Sequence, residues 1–481
     1  MIKKKSIGFN ALINGTKTLL LVAFPLITFP YAAKMLGVEG IGQYNFAYSV
    51  VSYFMLLAAL GIYNYAVREG ASVRNNRQKF SIFASEILEF NILSTVLSLI
   101  LLLIICAFWN KLDNYRNLIL VISLNIPLTT FGCEWIYAIY EEYLYIAVRG
   151  ILFQVISMVL LFSFVHSTDD IIMYAVTTLM SSAGYNLLNI IGLHKKFEFH
   201  WQPFYALKKH FASIMLLFAN SIASTIYINS DTTILGLLAG DYSVGLYSVA
   251  TKVYSIVKSV LASIIIVSIP RMSKLWADKD TEGFFLLADS ILNSFLAITL
   301  PAMIGIFVLS DDIIEIIADK SYLEASTALK ILSAALLVSV FSWFFQSSIL
   351  IPSKNEKEVL YATCAAAMVN IILNFILIPK YKQNAAAITT LVAELVSALI
   401  SGYYVAKIIK IKINKRDIAS ISIGCVYIYL YSRLIRVLMQ ETIVRTIVIV
   451  LGSAVGYFLI LIVCKNSFVK NVLIKCHMVS T

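Results

Sequence analysis

Charge is scarce in this chain. Charged residues make up 14% of its 481 positions, against about 25% in ordinary soluble domains, and that shortage excludes a water-soluble globular fold. Histidine is equally rare: the five, His166, His194, His200, His210 and His477, fall in or beside polar stretches and are expected to be solvated. The six cysteines are scattered through apolar runs with no Cys-x-x-Cys pair, so they read as small hydrophobes and not as a disulfide or zinc framework. There is no phosphate-cradling Walker loop and no nucleophile elbow. These absences argue against an enzyme and against a resident cofactor or metal.

What the chain has instead is apolar length. Hydrophobic residues are 60% of it, and a membrane-spanning helix needs about 20 of them in succession. By that measure fourteen segments are expected, at 9–34, 43–66, 80–108, 118–140, 144–165, 169–193, 211–238, 245–269, 284–309, 324–350, 358–378, 384–409, 417–437 and 443–464. The N-terminal stretch has the basic start of a signal peptide, but its apolar run continues past Pro25 and Pro30, so it reads as a first membrane helix. The longest polar links are surface loops and leave no room for a soluble domain.

The net charge of +11 finds its explanation in membrane topology and not in nucleic-acid binding, since no aromatic-interleaved basic patch accompanies it. With both termini cytoplasmic, the inner segments carry 24 basic residues and the outer loops nine. That bias sets a multi-pass orientation with an even number of spans. The outer stretch 310–324 is acidic through Asp311, Asp312, Glu315, Asp319 and Glu324, as suits a face under no pressure for positive charge.

An internal repeat organises the spans. A shift of 203 carries Gly240, Gly245, Tyr247 and Ala250 onto Gly37, Gly42, Tyr44 and Ala47, so that 229–250 (NSDTTILGLLAGDYSVGLYSVA) matches the Gly-rich turn in KMLGVEGIGQYNFAYS. The expected fold is therefore an all-α membrane protein with two six-helix lobes related by a pseudo-two-fold along the membrane normal, plus two C-terminal helices. The corresponding divisions are 1–193 for the N-terminal lobe, 194–210 for a basic cytoplasmic linker, 211–409 for the C-terminal lobe, and 410–481 for the extra pair and tail.

Charges inside the apolar runs mark the candidate site. An ionisable group at the bilayer centre costs about 2.5–3.5 kcal/mol, so each must face a wet cavity, a partner or an interface. Lys17, Lys252 and Lys258 lie deep and are expected to line a cavity or to pair. Arg149 and Lys330 lie nearer the ends, where a long side chain reaches the surface. Among the acids Asp231, Glu134 and Glu394 are deepest, whereas Glu86, Glu89 and Asp289 are expected at the interface. Asp231 and Lys252 sit at similar distances from the turn at 241–242, which fits either a salt bridge or a carboxylate that changes protonation or sodium occupancy, with Asn229, Ser230 and Thr232 as further oxygen ligands. Most of the 27 tyrosines suit the aromatic belt, and a minority in a cavity would stack on sugar rings.

Several stretches carry a family resemblance: 24–54 (FPLITFPYAAKMLGVEGIGQYNFAYSVVSYF), 61–69 (GIYNYAVRE), 133–150 (CEWIYAIYEEYLYIAVRG) and 229–253. They resemble the polysaccharide flippases of capsule and O-antigen synthesis, in the superfamily that also holds multidrug and toxic compound extrusion transporters and the lipid II flippase. The pattern of Glu134, Trp135, Glu141 and Arg149 is its most distinctive part. Two positions depart from it: Lys34 stands where the family favours arginine, and Glu142 where lysine is common, leaving the loop between spans four and five acidic.

The resemblance implies a V-shaped transporter of the bacterial cytoplasmic membrane, working by alternating access on undecaprenyl-pyrophosphate-linked oligosaccharides. The pyrophosphate and sugars would enter a cationic cavity while the lipid tail stays in the bilayer. Lys17, Lys34, Arg149, Lys252 and Lys258 are then the candidate substrate contacts, and Asp231, Glu134 and Glu394 the candidate coupling or gating acids, with H⁺ or Na⁺ as the coupling ion. Partners would be the lipid-linked substrate, membrane lipids, and the glycosyltransferases and polymerase of the same pathway, around a monomer. The competing readings are a cation-coupled multidrug exporter of the same fold and a membrane-embedded polysaccharide polymerase or ligase.

Overall fold

A computed structural model describes residues 7–469, apart from 195 and 410–413; for 7–23, 204–207, 220, 263, 264, 266 and 267 it describes the backbone alone. Among the described residues every long element is a helix, because a backbone in hydrocarbon must satisfy its own N–H and C=O groups. Ten helical stretches of the described residues are long and apolar enough to cross a membrane. Two pairs of the expected spans run together as one helix divided by a turn, and one expected span is broken into shorter helices. Helix α1 (Ile7–Ala59) holds the first two and turns at Gly37. Helix α14 (Glu356–Ile408) likewise holds two and turns at Lys382, in the left-handed region at φ 48°. The expected span 118–140 is instead three short helices, α4 (Arg116–Ser123), α5 (Asn125–Gly132) and α6 (Glu134–Ile139). Span 245–269 lies within α11 (Asp241–Ala277).

The chain forms two compact units, Met1–Gly245 and Leu246–Thr481. The first holds α1, α2 (Ile62–Val73), α3 (Arg77–Phe108), α4 to α6, α7 (Tyr143–Phe164), α8 (Ile171–Leu179), α9 (Asn186–Leu193) and α10 (Phe204–Ala239). It runs past the basic linker, at which the sequence repeat divides, and takes in α10. Two features of the sequence account for this. The linker is laced to α3: the backbone N–H groups of Glu198, His200 and Gln202 donate to Ser81 Oγ at 3.2 Å, Ser85 Oγ at 3.0 Å and Glu89 Oε1 at 2.7 Å. Two residues of extended chain advance about 6.6 Å and four residues of helix about 6.0 Å, so the two periods stay in step. At its end His210 Nδ1 meets the Tyr65 hydroxyl at 2.7 Å and Nε2 meets Glu86 at 3.0 Å, while Lys209 bonds the other Glu86 oxygen at 2.7 Å. Glu86, Glu89 and His210 are thus buried, where the sequence placed the acids at the interface and the histidine in solvent.

The second feature is glycine. Gly37 (φ 69°) and Gly240 (φ 81°) hold the same left-handed conformation at repeat-related positions, open to a residue without Cβ. Next to them, a methyl group added at Gly42 would lie 1.9 Å from the Asp241 carbonyl oxygen, and one at Gly245 would lie 2.0 Å from that of Val38. The shift of 203 that carries Gly245 to Gly42 also carries Asp241 to Val38. The contact is therefore reciprocal, and it presses the start of α11 onto the turn of α1.

The second unit holds α11 beyond Gly245 together with α12 (Thr281–Ile317), α13 (Ala325–Trp343), α14, α15 (Lys415–Leu438) and α16 (Thr442–Val463). Helices α15 and α16 pack tyrosine onto glycine: Tyr427 and Tyr431 cover Gly456 and Gly452, and Tyr457 covers Gly424. The pair is tied to α12 by the Tyr457 hydroxyl on the Ala297 carbonyl at 2.7 Å, and by Arg436 and Arg445, which donate to Asp312 at 3.0 and 2.6 Å. Asp311 holds Lys330 at 3.0 Å. The first residues of the acidic stretch 310–324 are therefore not a free outer loop: they belong to α12 and bind three cations.

These close approaches set a stability test. Gly42→Ala and Gly245→Ala should each destabilise the protein by about 1–3 kcal/mol through overpacking against backbone. Gly305→Ala, where an added methyl meets nothing within 4 Å, should leave the melting temperature of the detergent-purified protein unchanged or raised. Equal melting temperatures for all three variants would contradict the packing.

Candidate functional site

The stretch 133–150 builds a cluster of charged and aromatic side chains inside the first unit. Cys133 takes a left-handed conformation (φ 42°) that ends α5 and makes Glu134 the first residue of α6. A second left-handed residue, Glu141 (φ 57°), turns the chain into α7, which carries Tyr145 and Arg149 one helical turn apart on one face. This geometry brings Arg149 Nη2 to within 2.8 Å of Glu134 Oε2.

Arg149 is the largest fully buried side chain of the described residues, with 2% of its surface exposed. Its position near the end of the expected fifth span had allowed it to reach the surface; the structure shows that it does not. The guanidinium carbon lies 4.7 Å from the ring centre of Tyr185, 5.4 Å from Tyr145 and 5.5 Å from Tyr137. Tyr137 and Tyr145 stack on one another at 5.0 Å and 23°. They are anchored by hydroxyls that donate to the carbonyls of Asn189 at 2.9 Å and Leu188 at 3.4 Å. Tyr185 and, on α2, Tyr63 stand within electrostatic reach of both charges. Ring faces stabilise a desolvated cation by up to about 2 kcal/mol. They do not accept hydrogen bonds as oxygen does, and Arg149 Nε and Nη1 have no hydrogen-bond acceptor. The site thus presents a planar donor fork, held rigid by aromatic rings, of the shape that grips phosphate oxygens in pairs.

The neighbouring acids are all paired. Glu141 accepts from Arg74 at 2.8 Å, and Arg74 also donates to the Ile139 carbonyl at 2.7 Å. Glu142 pairs with Lys196, which lies over Tyr137 and Tyr140. Three acids face three bases, so the loop expected to be left acidic by Glu142 is locally neutral.

The other candidate residues fall elsewhere. In the second unit Lys258 Nζ meets Glu394 Oε1 at 2.8 Å and the Tyr254 hydroxyl at 3.2 Å, and that hydroxyl donates to Glu394 at 3.3 Å. A base expected to touch substrate and an acid expected to gate are thus partners of each other. Asp231 is buried on α10 in the first unit, and Lys252 is half-buried on α11 in the second. Lys34 is exposed on α1 and makes none of the contacts above. The side chain of Lys17 lies outside the described residues. Among the described residues no group of three His, Cys, Asp or Glu side chains is placed to hold a metal ion. Tyr254, one of the tyrosines expected near the gating segments, stands four residues before Lys258 on one helix, whereas the sequence reading missed Tyr185, which nothing local marks.

Residues 7–276 match the model of a family described as polysaccharide biosynthesis protein. The chain belongs to that family. It is 24% identical over 403 residues to a putative O-antigen transporter of Escherichia coli strain K12, covering 81% of this chain and 94% of the relative. It is 25% identical over 378 residues to the capsular polysaccharide biosynthesis protein CapF of Staphylococcus aureus, covering 77% and 91%. Among solved structures it shares the fold of the lipid II flippase MurJ in an inward closed conformation, with a TM-score of 0.77 at 18% identity over 94% of this chain and 98% of that one. The distinctive pattern of Glu134, Trp135, Glu141 and Arg149 lies within the matched residues.

The Lys258–Glu394 pair allows a direct check of burial. Glu394 is 6% exposed at its side chain and Lys258 30%, so removing the base strands the more deeply buried charge. Lys258→Met should cost about 3–5 kcal/mol and Glu394→Gln less, while the double variant Lys258→Met/Glu394→Leu recovers most of the loss. Thermal unfolding in detergent reads the order, and a reversed order would show that the pair is not buried as described.

Proposed function

We propose that the protein is a flippase for lipid-linked oligosaccharide units, translocating them across the bacterial cytoplasmic membrane by alternating access, with the pyrophosphate linkage held at Arg149. One observation carries the reading: a fully buried guanidinium, fixed by three tyrosine rings, keeps two donor nitrogens without an acceptor. A buried donor lacking an acceptor costs about 1–3 kcal/mol, and a phosphate group supplies the missing oxygens together with a balancing charge. The surrounding tyrosines offer faces for the sugar rings next to the linkage. The names of the relatives, an O-antigen transporter and a capsular polysaccharide biosynthesis protein, fit the same cargo. The lipid, on this reading undecaprenyl, keeps its tail in the bilayer, and both termini face the cytoplasm in keeping with the distribution of Lys and Arg.

Transport against a gradient would draw on H⁺ or Na⁺ at Asp231, a buried carboxylate whose charge is easily switched. A drug exporter for organic cations calls for an anionic pocket, and the unsatisfied donors of Arg149 favour an anionic cargo instead.

The test is complementation of a strain lacking its own exporter of the same polymer, with protein levels matched by immunoblot. Arg149→Ala should abolish polymer export. Arg149→Lys should leave less than about a tenth of it, since an ammonium keeps the charge and loses the fork. Normal export by both variants would refute a phosphate role for this residue.

A further inference from the structure

We propose that Glu134 is a resident anion which occupies Arg149 in the absence of cargo and is displaced from it by a phosphate group. The proposal rests on the reading of Arg149 as the phosphate site and adds the way in which that site opens. Three observations carry it. The two partners are unequally held: Arg149 is enclosed, with 2% of its side chain exposed, whereas Glu134 keeps 23%. The arginine is therefore the fixed member and the glutamate the movable one.

The backbone agrees. Glu134 opens a six-residue helix directly after the left-handed Cys133, so its side chain stands at a break between α5 and α6 and not within a continuous helix. Arg149 lies inside the 22-residue α7 and is boxed by Tyr137, Tyr145 and Tyr185.

The hydrogen bonds supply the driving force. Glu134 satisfies only Nη2 of the guanidinium, while Nε and Nη1 go without an acceptor. A tetrahedral phosphate carries three or more acceptor oxygens and engages the fork at two places. The exchange therefore trades one charge-assisted bond for at least two. Glu134 does not become stranded, because it keeps its exposed edge. The arrangement also keeps the guanidinium from being buried as a lone charge between transport cycles, a strongly unfavourable state.

The experiment is a binding titration on the detergent-purified full chain, with farnesyl pyrophosphate, inorganic pyrophosphate and farnesol as probes. Glu134→Gln, which keeps the shape and removes the competing charge, should bind farnesyl pyrophosphate at least tenfold more tightly than the wild type. Glu134→Asp, which keeps the charge on a shorter arm, should fall between them and decides the matter if the glutamine variant does not fold. Arg149→Gln should weaken binding at least tenfold in either background, and farnesol should not distinguish the variants. Tightening with both pyrophosphates at comparable affinity points to the anion alone as ligand; tightening confined to farnesyl pyrophosphate points to a lipid-linked one. Wild-type affinity in both glutamate variants would overturn the displacement and leave Arg149 as the phosphate site. No binding of either pyrophosphate by folded wild type and variants would overturn both readings.

Discussion

A charge cannot be left alone in an apolar medium, and that constraint shapes both units of this protein. Helices in a membrane gain little by burying apolar surface against one another, since lipid offers the same environment. Ion pairs and close backbone contacts must supply the specificity. Arg149 with Glu134, Lys258 with Glu394, Asp312 with Arg436 and Arg445, and Glu86 with Lys209 and His210 each join separate helices. Removing one member of such a set does more than delete a contact, because it exposes the other to the full cost of burial without compensation. Compensation is partial at three of the arginines: Arg436 and Arg445 each keep Nε without an acceptor, and Arg149 keeps both Nε and Nη1, the open fork on which the proposed function rests.

Close packing provides the second kind of specificity. The turns at Gly37 and Gly240 share one conformation, and Gly42 and Gly245 each admit the backbone carbonyl that lies across from them. In the second unit the same economy appears as tyrosines seated on Gly424, Gly452 and Gly456. Charge and glycine divide the labour: the glycines set how near two helices approach, and the ion pairs set which positions face each other.

Much of this was legible in the sequence, and the reason is physical. Apolar length reports membrane spans because hydrocarbon demands it, and repeated glycines report repeated turns because positive φ demands them. The breaks were less visible. The left-handed turn at Lys382 falls between the expected spans 358–378 and 384–409, whereas the left-handed Cys133 lies inside an expected span, which is fragmented into α4, α5 and α6. Depth along a span predicted burial well for Asp231 and Glu394, less well for Glu134, which is half-buried, and poorly for Arg149 and Glu86, whose surroundings come from distant segments. Partners were hardest of all. Lys258 met Glu394 at a separation of 136 residues that no local spacing encodes.

The repeat clarifies why the site lies where it does. The shift of 203 that superimposes the glycine turns carries Glu134 to Leu337 and Arg149 to Pro352, and in reverse carries Glu394 to Ile191 and Lys258 to Met55. Neither buried pair has a charged counterpart at the position the repeat assigns. A scaffold whose turns recur but whose charges occur once is polar by construction. On the proposed reading that suits the cargo, which has a single anionic junction between a lipid and a glycan: one guanidinium engages the junction, and a second, repeat-related one would have no phosphate to meet. A duplicated cation would have to be balanced by a further buried acid, adding desolvation cost without adding recognition. Asymmetry of charge on a repeated frame is thus the arrangement that holds a one-headed anion with the fewest buried ions.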